Sequence, residues 1–147
     1  LNRRGDKEAS LFQICVNLRQ RLSAFPGFED KLQEEEEDAG DDADPVTILW
    51  RFLRRGSPLM ELYNALGPRT MLEVDPNKVQ EKKRGQAATY KFMQACKEHL
   101  GINETFMVTD LYGDDTTGFV KVCYPPISKL SSQLETSIQF HQNLSCN

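Results

Sequence analysis

The chain has 147 residues, 39% of them apolar and 27% charged, and its 18 Lys and Arg against 22 Asp and Glu leave a formal charge of −4. This is the composition of one globular domain, which excludes collagen-like and fully disordered classes. Apolar runs extend for only a few residues where a spanning helix takes about 20, so no transmembrane segment is expected. The first residues, Leu1 to Glu8, hold no apolar stretch of a secretory signal, and a cytoplasmic chain is expected. Cys15, Cys96, Cys123 and Cys146 lie far apart without a C-x-x-C pair, the pattern of reduced thiols and not of a disulfide framework or zinc ribbon.

Leu11, Ile14, Cys15, Leu18, Leu22 and Phe25 recur at three and four residues, which predicts a helix from about Glu8 to Ala24, stopped by Pro26-Gly27. Residues 29–44 then carry ten acids against the single Lys31, a local charge of −9, so the rest of the chain is mildly basic. Such a run buries too little apolar surface to offset its ordering entropy, and a disordered acidic loop is expected. Asp44-Pro45 starts the next helix, with Val46, Leu49, Trp50 and Leu53 on its stripe up to Gly56. Ser57-Pro58 starts another, carrying Leu59, Leu62, Tyr63 and Leu66 to Gly67-Pro68, so two helices meet at a tight corner.

Residues 69–85 read as a link, with Lys82-Lys83-Arg84-Gly85 basic and then broken. From about Gln86, the stripe Ala88, Phe92, Cys96 and Leu100 predicts the central core helix, ended by Gly101. Asn103 would cap a turn carrying Phe106, the chain breaks at 110–113, and Thr117 would cap a last helix with Phe119, Val120 and Val122. Pro125-Pro126 forbids that helix from running on. The tail, 123–147, is polar, with Leu130, Leu134, Ile138 and His141 diluted by serines, and is expected to stay loose. No strand pattern or internal repeat appears, and the class is all-α.

Candidate chemistry is thin. His99 and His141 have no nucleophile motif to serve, and a partly buried or solvated ring is the favoured reading of each. Cys96 and His99 at i and i+3, with Cys15 and Cys123, would make a metal set, but Cys96 sits on the apolar stripe, where a free thiol packs as a small hydrophobe. The acids at 110–118 lack calcium-loop spacing and there is no phosphate-binding loop. Lys82, Lys83 and Arg84, with Arg51, Arg54 and Arg55, are read first as a solvated face, second as a contact for the acidic run, and not as a nucleic-acid surface. No catalytic, cofactor-binding or metal-ligating residues, and no cofactors, are expected.

The run from Gly56 through Leu59, Leu62, Asn64 and Leu66 to Pro68 resembles the calponin-homology signature. Tyr90 to Cys96 with Leu100-Gly101-Ile102 resembles the family's core helix, and Phe106 to Tyr112 with Phe119 to Val122 its closing motif. Trp50-Arg51, the join Arg55-Gly56-Ser57-Pro58 and the acidic interruption make it most similar to the N-terminal calponin-type domain of the fungal cell-division-cycle twenty-four family. Those proteins are Rho guanine-nucleotide exchange factors that establish cell polarity. The resemblance covers about residues 8–122, a calponin-homology-like domain with the 29–44 loop inside it, and residues 123–147 form a divergent tail.

The resemblance implies a regulatory protein-interaction domain in small-GTPase signalling, with no catalysis of its own. Implied partners are exchange-factor modules in cis and polarity or signalling adaptor proteins, with the cytoplasm and recruitment to the cell cortex as its location. The alternative is a cytoskeletal actin-binding module. Leu59, Leu62, Asn64, Phe92 and Leu111 are expected to define the fold and not a ligand site.

Overall fold

The computed structural model describes residues 3–102 and 106–134, and among them every regular element is helical. The elements are α1 (Arg3–Leu22), α2 (Phe28–Ala39), α3 (Pro45–Leu53), α4 (Ser57–Asn64), α5 (Glu81–His99), α6 (Val108–Tyr112) and α7 (Thr116–Val122). A π-helical turn, Cys123–Ile127, leads into a further helical stretch, 128–134. The all-α expectation holds for these residues. α1 and α2 both pack on α3, α4 packs on α5, α6 on α7, and the turn after α7 returns to α1.

The stripes read from spacing in α1 and α5 are largely buried, whereas in α3 Leu49 and Leu53 are buried as read, Val46 and Trp50 only partly so, and Ile48 and Phe52 complete the buried face. Leu11, Cys15, Leu18 and Leu22 from α1 meet Ile48, Leu49, Phe52 and Leu53 from α3 in one core, which Leu59, Leu62, Phe92 and Cys96 extend. Asp44 starts α3 as expected: its carboxylate accepts from the Thr47 N–H at 2.9 Å and the Thr47 hydroxyl at 2.7 Å. Burial alone would raise that carboxyl, but the hydrogen bonds from Thr47 outweigh it and lower its pKa. The cap of α7 is Asp115 and not Thr117, since the Asp115 carboxylate accepts from the Thr117 N–H at 2.9 Å. α5 begins at Glu81 and passes straight through Gly85, where the sequence suggested a break. Asn103, proposed as a cap, lies outside the described residues.

Two expectations are overturned. Residues 29–44 are not a loose acidic loop: α2 takes up most of them, and a single 3₁₀ turn, Gly40–Asp42, closes the segment. Phe28, Leu32 and Glu35, spaced four and three apart, are buried on one face of α2. The Phe28 ring stands edge-on to Phe52 with centroids 5.2 Å apart and lies 5.4 Å from Phe25. Composition predicted disorder, whereas this stripe and its ion pairs, described below, decide the outcome.

The tail also packs, at least as far as Leu134. Ile127, Leu130 and Leu134 are buried, and Ser131 is buried with its hydroxyl donating to the Ser128 carbonyl at 3.0 Å. Pro126 does forbid an ordinary α-helical turn, but the chain widens to a π turn there, which accommodates the missing donor without losing direction. Arg21 on α1 donates to the Ser132 hydroxyl across this contact at 3.2 Å. Ile138, His141 and Cys146 lie outside the described residues.

Candidate interaction surface

Two polar constructions stand out from the core, and both tie helices together. The first lies where the α3–α4 corner meets α5 and α6. Trp50 donates from Nε1 to the Leu111 carbonyl at 2.6 Å and stacks on Phe119 with centroids 4.6 Å apart and planes 7° from parallel. Arg54 donates to the same Leu111 carbonyl at 2.9 Å, and its guanidinium lies 4.9 Å from the Trp50 ring centre. Behind them, Tyr112 Oη lies 2.8 Å from the Arg54 carbonyl and 3.2 Å from the Thr89 hydroxyl, which is 2.8 Å from the Gly85 carbonyl. Two hydroxyl protons thus serve three oxygen contacts. Burial raises the Tyr112 phenol above its ordinary value, against the opposing pull of Thr89 and the Arg54 charge.

Backbones touch here. Gly56 has φ +77°, and a Cβ on it would overlap the Gly85 carbonyl and sit 2.7 Å from Gly85 Cα. The corner therefore requires glycine at 56 for both conformation and space. Asn64, at the other end of α4, closes a two-bond clamp on Leu72, donating to its carbonyl at 3.0 Å and accepting from its N–H at 2.7 Å. Asn64 is a structural tie for the link after α4, in keeping with the fold-defining role expected of it.

The second construction is the seam between α2 and three arginines, Arg19 of α1, Arg51 of α3 and Arg55 of the α3–α4 corner. Glu35 is buried and accepts from Arg51 Nε at 3.1 Å and from Arg55 Nε at 2.8 Å. Arg55 also reaches Glu34 at 3.1 Å, and Arg19 reaches Glu36 at 3.1 Å. Lys31 and Glu61 add a looser pair at 3.5 Å between α2 and α4. Burial works against the Arg55 charge, and its hydrogen bonds to Glu35 and Glu34 more than offset this, raising its pKa. The contact between basic residues and the acidic run, the second choice from sequence, is what Arg51 and Arg55 make, while Arg54 serves the Trp50 junction.

Replacing Glu35 by Gln removes the charge that both arginines share. Hydrogen bonds to charged groups contribute about 1.5–3 kcal/mol, and partial exposure of the arginines reduces that here to about 1–2 kcal/mol. Urea denaturation should show that loss for Glu35→Gln and none for Glu37→Gln, whose side chain faces solvent.

Among the described residues the other candidates do not assemble into a metal set. Cys96 is fully buried, and burial pushes its thiol up to about 12, while His99 projects to solvent beside Glu98 at 3.8 Å. Cys15 and Cys123 do meet, inside the core, and the hydrogen bond between their thiols together with burial raises Cys123. Among the described residues no group of three or more His, Cys, Asp and Glu side chains is placed to hold a metal. Asp110 and Asp115, from the run compared with a calcium loop, instead accept backbone N–H groups at the starts of α6 and α7. No helix among the described residues is long and apolar enough to cross a membrane.

The seam was missed because the acidic run was weighed by composition alone. The signal that finds it is Phe28, Leu32 and Glu35 on one helical face, opposite Arg51 of α3 and Arg55 just past its end.

Comparison with known proteins agrees with this architecture. The family model described as CDC24 calponin matches residues 44–129, which runs from the Asp44 cap to the helical stretch after the π turn. The Rho guanine nucleotide exchange factor scd1 of Schizosaccharomyces pombe is 30% identical over 131 residues, covering 79% of this chain. The chain spans only 15% of that relative's length. No solved structure gives a significant match. With more than half of its length matched, from the corner at Gly56 through the clamp at Asn64 to the closing helices, the chain belongs to the CDC24 calponin family.

Proposed function

We propose that this chain is a regulatory protein-interaction domain of a Rho-family guanine-nucleotide exchange factor, acting in small-GTPase signalling and cell polarity. The observation that carries the reading is the family match over residues 44–129, together with likeness to a Rho exchange factor. The polar side chains support it, because those brought together in the interior tie helix to helix. The domain would work by contact, binding exchange-factor modules in cis or adaptor proteins, and so direct the exchange factor within the cytoplasm and to the cell cortex.

The test loads a Rho-type GTPase with fluorescent nucleotide and adds the chain in excess. Release should stay at the intrinsic rate, since the family match is to a calponin-type domain; acceleration above that rate would refute a purely regulatory role. Sedimentation with actin filaments separates this reading from the cytoskeletal alternative, and the chain should remain in the supernatant.

A further inference from the structure

α2 is a poor helix in isolation. Residues 34–38 are five consecutive acids, and Asp30, Glu34 and Asp38 fall at i, i+4 spacing, where like charges repel. Its last turn holds acids and no base, against the helix dipole, and no side chain caps its start. It is helical because α1 and α3 present a matching surface: a pocket in the core for Phe28 and Leu32, flanked by Arg19, Arg51 and Arg55. The match is incomplete, since Arg19 Nε is buried in the seam with no hydrogen-bond partner. Arg51 and Arg55 lie within the segment that matches the family, whereas α2 precedes it.

We propose that this surface is a receptor for acidic amphipathic helices, held in cis by α2 and yielded to a partner segment of the same design. That design is an apolar pair four residues apart followed, three residues on, by a carboxylate, as in Phe28, Leu32 and Glu35. A helical peptide fits better than a lipid headgroup or other phosphate, because the arginines flank an apolar pocket that a headgroup leaves empty. The identity of the competitor as a signalling partner rests on the interaction-domain reading above; the exchange between α2 and a second helix does not. While α2 is docked, a competitor's apparent affinity is reduced by the fraction of molecules in which the seam is open.

The test uses a fluorescein-labelled peptide of residues 28–39, titrated into the full chain and into a Leu32→Ser/Glu35→Gln variant. The peptide should bind the variant about tenfold more tightly than the unaltered chain. Adding Arg51→Gln and Arg55→Gln should abolish that gain. Equal affinity for both chains, or capture of phosphatidylserine vesicles in place of the peptide, would overturn the proposal. Hydrogen exchange on the unaltered chain decides the matter even if the variant unfolds. Raising NaCl from about 0.05 to about 0.5 M should speed exchange in α2 about tenfold. α5 amides should not respond, and α2 protection equal to that of α5 at both concentrations would sink the idea. Failure here leaves the nucleotide-release result, and with it the proposed function, standing.

Discussion

A chain ended at Tyr124 should not hold its fold. The cut removes Ile127, Leu130 and Leu134, three buried aliphatic side chains, and uncovers the face of α1 against which the π turn packs. At about 1.5–3 kcal/mol for each such side chain, the loss is about 5–9 kcal/mol. Domains of this kind are stable by about 5–15 kcal/mol in total, so the truncated chain should be largely unfolded or melt tens of degrees lower. Far-ultraviolet circular dichroism during heating reads this directly. A truncated chain that melts with the full one would show that residues after Tyr124 contribute nothing to the core.

The second large effect is expected from Gly56→Ala. The added methyl meets the Gly85 backbone, which cannot rotate away as a flexible side chain would, and φ +77° is itself strained for alanine. Together these should destabilise the chain by about 3 kcal/mol or more, lowering Tm by about 10 °C for a domain of this size. Gly40→Ala is the matched control. Gly40 also has positive φ, but a Cβ there meets nothing within 4 Å, so its cost is backbone strain alone, about 1–3 kcal/mol, without the steric part. If the two variants melt together, close approach at the α3–α4 corner is not what position 56 is chosen for.

What the sequence disclosed, and what it hid, follows from range. Asp44-Pro45 and Ser57-Pro58 are local signals, acting within one turn, and both helices start there. The stripes of α1 and α5 were equally legible, because burial follows from spacing wherever a helix must cover a core, while in α3 the spacing picked out Leu49 and Leu53 but not Ile48 and Phe52. The order in α2 was hidden because it depends on residues far along the chain: the buried Glu35 is met by Arg51 of α3 and by Arg55 just beyond that helix. The tail was misread for a related reason. Its serines dilute the stripe on paper, yet the buried Ser131 hydroxyl is satisfied locally by the Ser128 backbone carbonyl, and Ile127, Leu130 and Leu134 join the common core. Nothing in the sequence marked the Trp50–Arg54–Leu111 junction, since its acceptor is a backbone carbonyl and backbone carbonyls have no letter code.

That junction gives the molecule a built-in optical reporter. The chain has one tryptophan, and it sits where α3 meets the closing helices, its indole N–H bonded to Leu111 and its ring stacked on Phe119. All the indole emission of the chain therefore originates at one inter-helix contact, between residues 61 or more apart in sequence. Its wavelength and intensity monitor whether α3 and the closing helices are joined, independently of how much helix each retains.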